Sequence, residues 1–155
     1  MSVRSDLPEI MDATFCSVVE RVAFMFGDGV PVDALEPPEP PLIHTSMTFK
    51  GPVCGSLALT LPLGMGSDLA ANALGAEPGD TVSEEQAIDA VNELLNVTCG
   101  QIVTALAGEK PAFRLTVPQA QVLDEDVWET YCAMPNTQGY AVDDYPVLLQ
   151  LVVAG

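Results

Sequence analysis

Basic side chains are scarce in this sequence. Five lysines and arginines stand against 22 aspartates and glutamates, a formal net charge of −17 at pH 7. Such a chain has no cationic footprint for a nucleic-acid backbone and is repelled by an anionic membrane surface. No apolar run reaches the ~20 residues of a membrane-spanning helix, so no membrane insertion is expected. The first residues carry Arg4, Asp6 and Glu9 without a long apolar core, which is not a secretory signal pattern. A cytoplasmic location is expected.

Metal-ligand patterns are equally sparse. Cys16, Cys54, Cys99 and Cys132 are far apart and form no C-x-x-C pair. That argues against a metal site and against a disulfide framework, and leaves reduced, mostly buried thiols as the expectation. His44 is the single histidine. A cysteine–histidine enzyme would therefore have to use it, with Cys99 as the candidate nucleophile. Both sit in apolar patterns that suit packing better.

What is abundant is apolar. The 155 residues are 48% hydrophobic, with mean hydropathy +0.29. A single folded domain spanning residues 1–155 is expected, large enough for its own core.

The most informative stretch is residues 83–108. Ile88, Val91, Leu95, Thr98, Ile102 and Leu106 recur at spacings of three and four, one buried stripe of a long helix. Ser83 fits an N-cap with Gln86 three positions on, and Gly108 and Pro111 mark the far end. On a helical wheel Asp89, Glu93, Asn96 and Gly100 fall within about 60° of one another, roughly opposite the stripe. That outer face is unusual. Glycine costs about 1 kcal/mol relative to alanine inside a helix. It suits a surface that another backbone approaches closely. A carboxylate and a carboxamide at i and i+3 project side by side. The carboxylate can pair with a cation, and the carboxamide can donate to and accept from one water.

Around this helix the chain reads as follows. Residues 5–26 form an amphipathic helix with Met11, Phe15, Val18, Val19, Val22 and Phe26 inward, ended by Gly27-Asp28-Gly29. Residues 30–41 form a loop whose Glu36-Pro37-Pro38-Glu39-Pro40-Pro41 run is a stiff polyproline-type connector. Residues 42–49 and 53–61 form an antiparallel hairpin around Lys50-Gly51-Pro52. Residues 67–74 form a short helix with Ser67 as N-cap and Gly75 as C-cap, followed by an acidic turn at Glu77-Pro78-Gly79-Asp80. Residues 113–123 form a strand bent near Pro118. Residues 127–134 form a strand with Trp128, Thr130 and Cys132 on one face, 135–139 a turn, and 145–153 a final strand. No internal repeat is visible in the sequence. The fold class is α+β: a mostly antiparallel sheet of about five strands with helices on one face.

Asp89-x3-Glu93-x2-Asn96-x3-Gly100, on a helix of this register, resembles the active-site motif of the CheC/CheX/FliY family. Members dephosphorylate the response regulator CheY in bacterial chemotaxis. Three further pieces are similar to that family: the hairpin with Gly51 and Gly55, the helix ending in Leu74-Gly75, and Thr116-Val117-Pro118 in the strand after the long helix. Some members carry a second E-x-x-N motif on the first helix. Here Glu9-Ile10-Met11-Asp12 has Asp in place of Asn, which agrees with the one-site CheX pattern.

The resemblance implies a phosphatase acting on a phosphorylated CheY-like receiver domain. Asn96 would position the attacking water, and Glu93 would pair with a receiver lysine. Asp89 would form a hydrogen-bonding rim, and Gly100 would give clearance. The chain would need no cofactor of its own, since the Mg2+ belongs to the receiver. A homodimer is a family-based expectation. The alternative is a non-catalytic CheX-like adaptor that binds a receiver or a flagellar switch protein.

Overall fold

The structure, a computed structural model, describes residues 6–75, 81–109 and 112–154. Among the described residues the α-helices are α1 (Leu7–Ala23), α2 (Leu63–Leu74), α3 (Glu84–Ala107) and α4 (Trp128–Cys132). The strands are β1 (Gly27–Val30), β2 (Leu42–Lys50), β3 (Cys54–Pro62), β4 (Arg114–Leu115), β5 (Gln119–Leu123), β6 (Thr137–Val142) and β7 (Tyr145–Ala154). They build one sheet in the order β1-β6-β7-β3-β2-β4, with β5 also on β2, and every pairing is antiparallel.

The sheet thus has seven strands where about five were expected. Two of the strands include residues whose composition suggests punctuation. Gly27-Asp28-Gly29 is not a helix terminator but part of β1, held by pairing with β6 from Gly27↔Val142 to Val30↔Gly139. Glycine and aspartate are poor strand formers, so this strand exists only because its partner is there. Gly139, read as turn, lies inside β6, and the turn before it is marked by Asn136 at φ 60°. Residues 113–123 do break near Pro118, into β4 and β5, both paired with β2.

Residues 127–134 are not a strand. Trp128–Cys132 is a short helix. Trp128 is buried with Leu42 and Leu148, and Tyr131 and Cys132 pack on the same cluster. That inward set follows helical spacing, whereas the run's aromatic and β-branched content suggested alternation. This cluster lies across the sheet from α1, α2 and α3, so helices do not cover one face alone. Along β2, Ile43, Met47 and Phe49 face the main core while Leu42 faces the second cluster.

Two helix ends also differ from expectation. α1 stops at Ala23, where Phe24 turns left-handed at φ 57°. Phe26 therefore leaves the apolar stripe and is 69% exposed. α2 begins at Leu63, not Ser67, and the Ser67 hydroxyl donates to the Leu63 carbonyl within the helix at 3.4 Å. Gly75 does cap it, at φ 64°. The readings at Ser5, 77–80 and Pro111 lie outside the described residues.

The strand order hides a repeat that the sequence did not show. With β5 taken as the strand beyond β2, exchanging β1, β2, β3 with β5, β6, β7 turns the order into its own reverse. In that exchange α1, packed on β1 and β6, occupies the place that α3 holds over β2 and β5.

Close packing sets how α3 lies on the sheet. A Cβ on Gly66 of α2 would stand 2.9 Å from Ile43 Cδ1 and 3.2 Å from Val91 Cγ2. The missing side chain lets α2, α3 and β2 meet, which fixes the height of α3 and hence of its outer face.

Candidate functional site

α3 is set locally. Ser83 Oγ accepts from the Gln86 amide at 3.1 Å, and Gln86 Oε1 accepts from the Ser83 amide at 2.9 Å. This reciprocal cap satisfies two amides that a helix start leaves unpaired. Glu84 and Glu85 add negative charge at the positive end of the helix dipole. The buried face is wider than the predicted stripe. Ala87, Leu94, Cys99 and Val103 join Val91, Leu95, Thr98, Ile102 and Leu106, while Ile88 is half-buried. Buried Thr98 is satisfied by donating to the Leu94 carbonyl at 2.7 Å.

The opposite face carries the four sequence-predicted residues. Asp89, Glu93 and Asn96 are exposed, and Gly100 is half-buried. Asp89, Glu93 and Asn96 line one side of a shallow depression of about 330 Å³. Its other side is residues 115–118, the link between β4 and β5. Gly100 lies one turn further along the same face and does not line the depression. A Cβ built there meets nothing within 4 Å.

The facing link is fixed to the sheet. The Thr48 amide donates to Thr116 Oγ1 at 2.8 Å, and the Thr116 amide donates to the Thr48 carbonyl at 3.0 Å. This leaves Leu115 39% exposed and Val117 75% exposed at the rim. The depression therefore has a polar wall on α3 and an apolar lip opposite. Thr116-Val117-Pro118 was visible in the sequence, but its position against Asn96 was not.

A further α3 residue, Asn92, lines the depression. Asn92 sits between Asp89 and Asn96 on the helix, and its Oδ1 accepts from the Thr45 hydroxyl at 2.7 Å. Thr45 is fully buried on β2. The signal for Asn92 was its i+4 spacing to Asn96; nothing in the sequence pointed to Thr45.

The other candidates are separated. His44 is on the far face of β2, stacked on Tyr131 at 4.3 Å between ring centroids, with Nδ1 2.8 Å from Thr60 Oγ1. Burial holds its pKa below the ordinary imidazole value. Cys99 is in the main core, and burial pushes its thiol up to about 11. The sheet stands between them, so they form no catalytic pair. The thiols are free but not mostly buried: Cys99 is buried, Cys16 and Cys132 are half-buried, and Cys54 is exposed. On α1, Asp12 accepts from the Tyr140 hydroxyl at 2.6 Å, a structural bond where the second motif would place Asn. Among the described residues, no cluster of three or more His, Cys, Asp or Glu could hold a metal, and no helix is long and apolar enough to cross a membrane.

An antiparallel sheet carrying this helix face is the fold of the chemotaxis proteins CheX, CheC and FliY. CheX from Vibrio vulnificus superposes with a TM-score of 0.73 at 15% identity, covering 99% of this chain and 100% of that one. The CheX of a CheX–CheY–BeF3–Mg2+ complex from Borrelia burgdorferi gives 0.68 at 15% identity, over 98% and 100%. FliY from Thermotoga maritima gives 0.56 at 11% identity, over 99% and 93%. No curated protein matches the sequence. The sequence model of the family described as chemotaxis phosphatase CheX matches residues 43–125, a span that includes Asp89 to Pro118. The chain belongs to the CheX family.

Proposed function

We propose that this chain hydrolyses the phosphoaspartate of a CheY-like receiver domain, with Glu93 and Asn96 inserted into the receiver's site. The observation that carries the reading is the placement of Glu93 and Asn96, exposed and one turn apart on α3, over a depression with an apolar lip. The similar Borrelia fold is bound to CheY in its complex.

The chemistry asks little of this chain. Phosphoryl transfer is catalysed mainly by positioning and electrostatics. The receiver brings the phosphoryl group, its Mg2+ and a lysine. Asn96 donates to and accepts from one water, which aims it in line with the phosphorus. Glu93 pairs with the lysine and fixes the docking angle. Asp89 sits at the rim, and Gly100 leaves room for the receiver's backbone. Leu115 and Val117 give the partner an apolar surface beside the polar contact.

The test is single-turnover decay of a phosphorylated receiver from the same organism, with Mg2+ present, for the wild type and Asn96→Ala. Faster decay with the wild type, reduced about 100-fold in the variant, is expected from losing an oriented water. Because Asn96 is exposed, the variant should melt like the wild type. If no receiver decays faster, the phosphatase reading fails and the adaptor reading takes its place.

A further inference from the structure

Asn92 has no role in the scheme above, yet it is an α3 side chain of the depression that is bonded to the sheet beneath. Its Oδ1 accepts from Thr45 Oγ1 at 2.7 Å, and Thr45 is completely buried. With the oxygen turned inward, the amide nitrogen points the other way. Among the described residues that nitrogen has no hydrogen-bond partner, and no buried side-chain polar atom lacks one. It therefore opens to solvent, in the depression that Asn92 lines.

The donor inventory makes this position matter. Asp89 and Glu93 are carboxylates and only accept. Leu115, Val117 and Pro118 offer no polar side-chain atom. The Thr116 hydroxyl accepts from the Thr48 amide at 2.8 Å and turns its own proton to the Thr48 carbonyl, 3.5 Å away. Two side chains can donate into the depression, Asn96 and Asn92. If Asn96 is occupied with water, Asn92 is left to meet an acceptor on the partner.

We infer that Asn92 is a second working carboxamide of this site, locked by Thr45 so that its amide nitrogen donates to an oxygen of the docked receiver. The inference rests on the receiver-phosphatase reading. A preset amide loses little rotamer freedom on docking, which is what the Thr45 bond supplies.

Asn92→Asp keeps the shape and the acceptor for Thr45 but replaces the donor. It should slow receiver-phosphate decay about tenfold, the order expected for a hydrogen bond to a charged or strongly polar acceptor. Neutral Asn92→Ala should fall alongside it. The Asn92→Asp defect should persist at high salt, where a simple charge effect is screened. Thr45→Val should slow decay about threefold in the wild type and add nothing in the Asn92→Asp background, since it acts only through Asn92. Binding to phosphorylated and unphosphorylated receiver separates the acceptors. A defect confined to the phosphorylated form identifies a phosphoryl oxygen, and an equal defect in both identifies a main-chain carbonyl. An active wild type with an equally active Asn92→Asp overturns the assignment of Asn92 alone. A wild type that accelerates nothing overturns the phosphatase reading and this inference with it.

Discussion

Gly100 gives a prediction in which stability and function move in opposite directions. It lies inside α3, where glycine costs about 1 kcal/mol relative to alanine. A Cβ at Gly100 meets nothing within 4 Å, so alanine adds no clash to the folded chain. The Thr104 hydroxyl already bonds the Gly100 carbonyl at 3.0 Å, a contact that a side chain there leaves intact. Gly100→Ala should therefore stabilise the protein by about 1 kcal/mol, raising Tm by about 2–4 °C for a domain of this size. Gly100→Leu should keep most of that gain, because leucine is nearly as good a helix former. On the receiver it should act in reverse, its side chain filling the clearance and weakening docking at least about tenfold. Thermal melting by circular dichroism reads the first effect. The dependence of receiver-phosphate decay on protein concentration reads the second. A lower Tm for Gly100→Ala would show that this face is packed. An unchanged concentration dependence for Gly100→Leu would remove Gly100 from the interface.

Three further outcomes are expected. Burial raises the Cys99 thiol from 9.0 to about 11, so the fold favours its neutral form. Its contribution to stability is complete below pH 9 and is lost as pH rises towards about 11; urea midpoints should fall across that window and fall less in Cys99→Ala, and equal slopes would refute the assignment. Gly55→Ala should destabilise by about 1–3 kcal/mol or more, because the added Cβ would run into the Val152 carbonyl of β7 and the Phe49 ring; an unchanged denaturation midpoint would contradict this packing. Since the chain carries a formal charge of −17, docking on an acidic receiver pocket should tighten with salt over the first ~0.1 M, and a rate that falls with salt would mean local ion pairing dominates.

What the sequence determined by itself is what neighbouring residues decide together. α3, its capping box and the outward face carrying exposed Asp89, Glu93 and Asn96 with half-buried Gly100 follow from periodicity and short-range hydrogen bonds. So do the β2–β3 hairpin and the glycine cap of α2. Tertiary structure decided the rest. β1 is a strand because β6, more than a hundred residues away, pairs with it. Trp128–Cys132 is a helix whose inward set meets Leu42 and Leu148, elements far away in the chain. The motif residues acquired their depression only when β4 and β5 placed Val117 beside Asn96. Asn92 acquired its orientation from Thr45, 47 positions away. A local pattern records which face of a helix is wet; what stands opposite that face is settled by strand pairing and core packing, whose partners lie at separations no local pattern spans.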